Sequence, residues 1–382
     1  MILTQYYTHA ALTERLIGLL SEKQNRIHIS GMTGSMPATL AAAIAVEQPE
    51  RGQLLIAPSK EDAFYLTNDL ETLLDETELE IEQKRVLLFP ASYRKRGSSI
   101  GDDGRLFETD NANMLMRSEV VKQLAAGRSL LVVTYPEALQ EKVFSKRTLV
   151  KNTLEVVRNT PLGIDFVIDV LQEYGFDRVD FVVEPGQYAV RGGIIDVFSF
   201  GNEHPYRIEF FDDTVESLRT FDPVSQLSIH QLDRIGILPR MEHGGDKIEV
   251  DEQVNLAHYF GSRDLVWTHG LMFILEHIGE EQPDFMQHIL NSNIIEMGNS
   301  SYFSHAAELK ASCDPQPPLN KQYDLLMEHL TQLHEQHYQM IITASNEQQR
   351  KRLEKMWVTG DNVHSISEAI QVVVAGKRCG LR

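Results

Sequence analysis

The sequence predicts an α/β fold class: a parallel-sheet domain, an antiparallel β-rich region, and a small α/β unit near the end of the chain. Three patterns support this. Helical and strand-like segments alternate over residues 1–142, turn signals separate short apolar runs over residues 178–223, and helix–strand alternation returns after residue 315. A chain of 382 residues exceeds what one hydrophobic core usually holds, so we expect several domains.

The changes of pattern place four domains. They comprise residues 1–142, 143–240, 241–314 and 315–382. The proline-rich stretch at residues 315–318 marks a linker before the last domain, and this domain is expected to be incomplete at Arg382.

Individual elements follow from apolar periodicity and turn residues. We predict helices over residues 9–20, 37–46, 60–74, 109–126, 162–174, 323–338 and 346–357. We predict strands over residues 26–30, 53–57, 86–89, 129–134, 178–184, 188–191, 194–200, 206–211, 214–221, 264–267, 339–343 and 370–375.

Composition restricts the kinds of partner and the compartment. The net charge is −19, whereas proteins that bind nucleic acid on their own normally carry a basic surface to neutralise phosphates. The local basic cluster at residues 93–96, which includes Arg94, is the one candidate for a DNA contact, although such a loop is usually only solvated. Two cysteines, Cys313 and Cys379, in no metal-binding spacing predict a reduced, cytoplasmic protein.

The loop between the first strand and the alanine-rich helix has the setting of a phosphate-binding loop. The motif is GxxxxGK[ST], in which glycines admit the phosphate, lysine binds it and a hydroxyl holds magnesium. Gly31 keeps the first glycine, and Gly34 lies within the loop. The second required glycine, the lysine and the hydroxyl are replaced by Met36, Pro37 and Ala38. We therefore predict a degenerate loop that binds no nucleotide, and no cofactor.

Charged residues alternate with apolar residues along the predicted antiparallel strands, and this alternation indicates two different sheet faces. The charged set consists of Arg191, Asp196, Arg207, Glu209, Glu216 and Arg219. One interpretation is a solvated face with weak cross-strand ion pairs. The other is a docking surface for a protein, because arginine is enriched among residues that dominate interface energies.

Three segments within this region carry a resemblance to a known module. Residues 175–178 (GFDR), 185–198 (PGQYAVRGGIIDVF) and 206–213 (YRIEFFDD) resemble the UvrA-binding domain of UvrB and of the transcription-repair coupling factor family (Mfd). The first 142 residues resemble the helicase-derived first domain of the same proteins, in the segments GMTGS, LLFPASY and LLVVTYPEAL. The resemblance implies that residues 241–314 pack on that first domain, so that the β-rich domain is an insertion.

The decayed nucleotide loop favours the coupling factors, because UvrB retains an intact one. The resemblance implies a non-catalytic module that recruits UvrA to stalled RNA polymerase, with the parts that contact polymerase and DNA lying beyond Arg382. It assigns the UvrA contact to Arg178, Arg191, Arg207 and Glu209, supported by Phe198 and Phe211. UvrB has a further arginine at the position of Ala189, so this contact is expected to differ here.

Two alternatives remain at the level of sequence. One is a UvrB-like ATP-dependent helicase or nuclease subunit, and the other is an inert scaffold whose sheet face binds nothing.

Neither a Ser-His-Asp nor a Cys-His arrangement is identifiable, so no catalytic residue is predicted. The three histidines of the last domain, His329, His334 and His337, lack a metal-binding pattern, and we predict no metal site.

Overall fold

A computed structural model gives the fold. It describes residues 2–22, 25–95, 107–109, 111–200, 202, 204–239, 253–278, 282–313, 322–338, 340–344, 346–358 and 370–374. The α-helices within these ranges are α1 Ile2–Thr8, α2 Ala11–Ser21, α3 Met36–Glu47, α4 Lys60–Leu73, α5 Asn111–Ala125, α6 Pro136–Gln140, α7 Lys146–Lys151, α8 Ile164–Glu173, α9 Leu271–Ile278, α10 Pro283–Asn291, α11 Tyr323–Glu335 and α12 Glu347–Val358. A 3₁₀ helix covers Leu256–Tyr259.

The strands are short, as is usual in mixed domains. They are β1 Arg26–Ser30, β2 Gln53–Ile56, β3 Val86–Leu88, β4 Tyr93–Lys95, β5 Phe107–Thr109, β6 Leu131–Thr134, β7 Val143–Phe144, β8 Leu154–Val157, β9 Asp177–Arg178, β10 Gln187–Arg191, β11 Ile194–Val197, β12 Tyr206–Phe211, β13 Thr214–Phe221, β14 Ser228–Leu232, β15 Arg234–Ile237, β16 Gln253–Val254, β17 Leu265–His269, β18 Asn293–Met297, β19 Ala307–Lys310, β20 Met340–Ala344 and β21 Ile370–Val374.

A seven-stranded sheet confirms the predicted α/β class. Its strand order is β19-β1-β18-β17-β2-β6-β3, and the pairs β1–β19, β17–β2, β2–β6 and β3–β6 are parallel. Every residue of β2 and of β6 is buried, which explains why these strands are continuous apolar runs in the sequence. Helix α3 is buried from Ala38 to Ala45, so its alanines allow close packing.

By density of internal contacts the chain divides into two compact units. The first comprises residues 1–49, 65–80 and 297–382, and the second comprises residues 50–64 and 81–296. The four-domain division stays a prediction. None of the helices within the described ranges is long and apolar enough to cross a membrane.

A separate six-stranded sheet lies within the second unit. Its order is β14-β13-β12-β11-β10-β9, antiparallel except for the parallel pair β9–β10. Helix α8 and the antiparallel pair β8–β15 supply apolar side chains to the core of this sheet, including Val156, Val167, Leu171 and Ile235. The antiparallel, β-rich part of the predicted fold class is therefore confirmed.

Two predicted strands of this region were wrong in extent. Residues 178–184 were expected to form one strand, but only Asp177–Arg178 does so. The next predicted strand, 194–200, ends at Val197. Both errors have the same cause: Val182 and Phe198 are buried, and buried apolar residues in a loop look like strand residues in a sequence.

Elsewhere most predicted elements are present, with shifts of one to three residues at most ends. The described residues after position 321 contain helix α11, strand β20, helix α12 and strand β21, and the two strands pair in parallel, as expected for small α/β structure. The predicted linker at residues 315–318 lies outside the described residues. Of the basic cluster, residues 93–95 form β4, which pairs with β5, and residue 96 lies outside the described part.

Candidate functional site

The six-stranded sheet has two chemically different faces, as the alternation in the sequence predicted. One face carries Ile195, Ile208 and Leu218 directly opposite one another on β11, β12 and β13, and all three are fully buried in the main core of this sheet. Burial of such a side chain contributes roughly 1.5–3 kcal/mol to folding. This face therefore holds the domain together.

The second face carries a transverse row of one residue from each of five neighbouring strands. From β10 to β14 the row reads Ala189, Asp196, Arg207, Arg219 and Gln231, each opposite the next in register. Residues opposite each other in antiparallel strands share a face, so their side chains can interact directly. Polar side chains thus run across the middle of this face.

Asp196 and Arg207 form the centre of the row. The Nε and Nη2 atoms of Arg207 donate to Asp196 Oδ1 and Oδ2 at 2.6 and 2.8 Å, a bidentate pair. Arg207 Nη2 also donates to Gln226 Oε1 at 3.1 Å, and its guanidinium lies 4.4 Å from the ring centre of Phe221. The hydrogen bond to Asp196 raises the pKa of Arg207. Arg207 is therefore held inside the sheet face by the protein itself.

Glu209 belongs to a second, adjacent ion pair. Its carboxylate accepts hydrogen bonds from Ser217 Oγ at 2.5 Å and from Arg219 Nη2. The arginine that pairs with Glu209 is thus Arg219 on the neighbouring strand. All three residues are partly exposed, so this pair lies at the surface of the face.

Residues 179–184 form a loop that covers part of the second face. Val182 of this loop is buried against Ala189, Phe198 and Phe221 in a small apolar cluster. The side-chain oxygen of Gln187 accepts hydrogen bonds from the main-chain N–H groups of residues 183 and 184, at 3.0 and 3.1 Å, and so fixes the loop. Phe198 is consequently a core residue beneath the site and is 5% exposed.

A groove of about 590 Å³ opens beside this loop, lined by Arg178, Val179, Asp180, Phe181, Val190 and Arg191. The structure therefore brings together two of the predicted arginines, Arg178 from β9 and Arg191 from β10. Both are exposed, and so is Phe181, at 62%. Sequence reasoning missed Phe181, because an aromatic residue next to valines looked like a core residue.

Three contacts position the Arg191 side chain at the wall of this groove. Its Nη2 atom donates to the main-chain oxygen of Asp180 at 3.1 Å and lies 3.4 Å from Asp196 Oδ2. Its guanidinium lies 4.7 Å from the ring centre of Phe181. The side chain still keeps 45% of its surface exposed, so one side of a well-positioned cation faces solvent.

Phe211 lies apart from this cluster, at the end of β12, and is 69% exposed. A register shift between Glu209 and Phe210 separates it from the regular part of the strand. Phe210 packs against the main core, whereas Phe211 is exposed.

The glycine pair after Arg191 closes the turn between β10 and β11. Gly192 has φ +60°, a conformation that favours glycine at the first central position of a tight hairpin turn. A Cβ atom on Gly193 would lie 2.9 Å from the carbonyl oxygen of Phe210, so this glycine permits a close approach within the sheet. The protein's own backbone thus accounts for both glycines.

The loop after β1 shows a similar internal reason for its first glycine. Gly31 has φ +76°, and a Cβ atom there would lie 2.5 Å from the carbonyl oxygen of Ala311. Gly34 has φ +56°, and helix α3 begins at Met36 with Pro37 in its first turn. The Ala38 side chain is a buried methyl group with no oxygen that could bind a metal.

No group of three or more histidine, cysteine, aspartate or glutamate residues within the described ranges is arranged to hold a metal ion. The three histidines of the last domain lie on α11 or just after it; His337 has φ +61° in the turn that follows the helix.

One family model and several known proteins are similar to this chain. Residues 154–243 match a family model described as the UvrB interaction domain, a range that contains the six-stranded sheet and the groove. The chain is 28% identical over 220 residues to the transcription-repair-coupling factor of Escherichia coli (strain K12), an alignment that covers 58% of this chain and 18% of that protein. It is also 28% identical over 214 residues to the corresponding protein of Bacillus subtilis (strain 168), covering 56% and 17%.

A UvrB protein is similar as well. The chain is 26% identical over 238 residues to the UvrABC system protein B of Corynebacterium diphtheriae, covering 60% of this chain and 33% of that protein. The resemblance predicted from the sequence is confirmed. The aligned segments span about a fifth of the two coupling factors and a third of the UvrB protein.

Proposed function

We propose that the second face of the six-stranded sheet, together with the groove at its β9–β10 edge, binds UvrA, and that this chain is a non-catalytic recruitment module for nucleotide excision repair. One observation carries the proposal. Arg178 and Arg191, from different strands, line the same groove next to the exposed ring of Phe181, within the range that matches the UvrB interaction domain.

The chemistry of the groove favours a protein partner. Arginine and aromatic residues, including phenylalanine, are enriched at protein interfaces, and arginine is common among the residues that dominate binding energies. The guanidinium groups of Arg178 and Arg191 can each form bidentate pairs with carboxylates. Phe181 adds an exposed aromatic ring to the same groove.

The other residues assigned from the resemblance take different parts in this proposal. Phe211, exposed at the end of β12, is a direct contact in a peripheral position. Arg207 and Glu209 maintain the face through their pairs with Asp196 and Arg219, and each still has part of its surface available to a partner. Phe198 supports the loop from below.

We also propose that the chain neither binds nor hydrolyses nucleotide. Met36, Pro37 and Ala38 supply no lysine, no magnesium-binding hydroxyl and, at the proline, no N–H donor. A UvrB-like helicase would require these groups, so saturable binding of Mg-ATP would favour that alternative. We further propose that the module recruits UvrA to stalled RNA polymerase and that the protein is cytoplasmic. Contacts with polymerase and DNA are proposed to lie outside this chain.

The test is a titration of the whole chain with purified UvrA from the same organism. Arg178→Ala and Arg191→Ala should each weaken binding by about 2 kcal/mol or more, roughly thirtyfold, because each removes a central charged contact. Thermal melts should change little, since exposed arginines add little to stability.

The matched control is Arg234→Ala. Arg234 is an exposed arginine of the same region, on β15, and it forms a surface ion pair with Glu155. Its removal should leave UvrA binding within a factor of two. If the wild-type chain fails to bind UvrA, or if the two groove variants bind as tightly as this control, the proposal is wrong.

A further inference from the structure

A buried carboxylate lies beneath the exposed arginine of the groove. The Asp196 side chain is 2% exposed, and it accepts the bidentate pair from Arg207, whose side chain is 16% exposed. The Nη2 atom of Arg191 lies 3.4 Å from the same carboxylate. The buried carboxylate of Asp196 thus contacts two arginines, of which Arg191 is much more exposed than Arg207.

The formal charges of this cluster leave a surplus. Two guanidinium groups and one carboxylate sum to one positive charge. Both oxygens of Asp196 accept short hydrogen bonds from Arg207, so Arg191 shares a carboxylate that already has a bidentate partner. Arg191 is the member of this cluster that faces the groove, whose lining also includes Asp180.

Strand register explains why Arg191 reaches this carboxylate. Asp196 on β11 lies directly opposite Ala189 on β10, and Arg191 is the diagonal neighbour two residues further along. Since Ala189 carries only a methyl group, no long side chain from β10 lies directly across from Asp196. Arg191 turns back toward it and there also meets Asp180 and Phe181 of the loop.

We propose that Asp196 is the positioning residue of the UvrA-binding face: it fixes the direction of the Arg191 guanidinium so that this cation is already ordered before the partner binds. This inference rests on the proposed function. Ordering a long side chain in advance removes an entropic cost that binding would otherwise carry. We assign this role to Asp196 because its carboxylate contacts both Arg191 and Arg207.

The experiment is a double-mutant cycle on the whole chain, with purified UvrA as the probe. Asp196→Asn keeps the shape of the side chain and removes its charge. In an otherwise wild-type background this substitution should weaken the affinity for UvrA about tenfold. In an Arg191→Ala background it should cause a further change of less than twofold, because its effect acts through Arg191.

A second variant guards against loss of the fold. In Asp196→Asn the guanidinium of Arg207 remains without its carboxylate, which can destabilise the sheet. The pair Asp196→Asn with Arg207→Gln removes both charges together and leaves two amides that can hydrogen-bond. This double variant should melt as a folded protein and still bind UvrA about tenfold more weakly than wild type.

The control is Glu155→Gln, which makes the same carboxylate-to-amide change in the exposed pair with Arg234 and should leave UvrA binding unchanged. If Asp196→Asn weakens binding equally with and without Arg191, or if the folded double variant binds like wild type, the positioning role is refuted. In those cases Arg191→Ala alone still reports on the proposed function. Failure of the wild-type chain to bind UvrA overturns both.

Discussion

The two faces of the six-stranded sheet are built from the same strands but have opposite chemistry. On one face Ile195, Ile208 and Leu218 are fully buried. On the other, the residues beside them in sequence include Asp196, Arg207 and Arg219, which form ion pairs. On each strand, neighbouring residues in the sequence belong to opposite faces. Substitutions on the buried face should therefore change stability, and substitutions on the second face should change binding.

The largest effect on folding is expected on the core face. Leu218→Ala should lower the free energy of unfolding by about 2–5 kcal/mol, because the side chain is fully buried between Ile208 and Leu232. Chemical denaturation of the whole chain measures this change. The matched variant is Ser217→Ala, on the opposite face of the same strand, which should cost less than about 1.5 kcal/mol. Equal losses would contradict the separation of the faces.

The support of the loop at residues 179–184 should be nearly as sensitive. Gly186 has φ +85°, and a Cβ atom there would lie 2.5 Å from the ring of Phe200. Gly186→Ala should therefore destabilise the domain by about 1–3 kcal/mol. Gly175→Ala is the control for the backbone effect alone, since Gly175 has φ +77° and open space around its Cβ position. A loss as large for Gly175→Ala would show that the Phe200 contact is unimportant.

A moderate effect on binding is expected from the groove. Phe181→Ala should weaken UvrA binding by about 1–2 kcal/mol, because it removes an exposed ring that also contacts Arg191. The melting temperature should stay within a few degrees, since Phe181 is mostly exposed. Val150→Ala, at an exposed apolar residue of α7, is the matched control and should leave binding unchanged.

The smallest effect is expected at the nucleotide loop. Calorimetric titration with millimolar Mg-ATP should give no saturable heat. The Pro37→Lys/Ala38→Ser pair alone should not create a site, because Met36 still occupies the position of the required glycine. Saturable heat from the wild-type chain would instead support a UvrB-like enzyme.

Much of this organisation was predictable because a strand has a period of two. The alternation of Arg207, Ile208, Glu209 and Phe210 fixed which side chains share a face, and the short parallel strands were visible as apolar runs. What failed depends on contacts distant in sequence or hidden in loops. Neither the pairing of Glu209 with Arg219 nor the folding of residues 179–184 over Ala189 follows from local pattern.

The roles of Asp196 and Phe181 were not predicted, for related reasons. A single aspartate in an apolar run indicates a strand with one polar side, and its two arginine partners are defined only by register. Phe181 lies in a run with buried Val182, and only the course of the loop shows that one is exposed and the other is not.

The most direct test of the central claim asks whether UvrA covers the second face. In a background of Cys313→Ser and Cys379→Ser, which removes both native cysteines, single cysteines replace Phe181 or Phe166. Both positions are more than half exposed, but Phe166 lies on α8, the helix that packs against the core face. Maleimide labelling with and without saturating UvrA should show strong protection at position 181 and unchanged labelling at position 166. Equal labelling of position 181 in the presence and absence of bound UvrA would contradict the account.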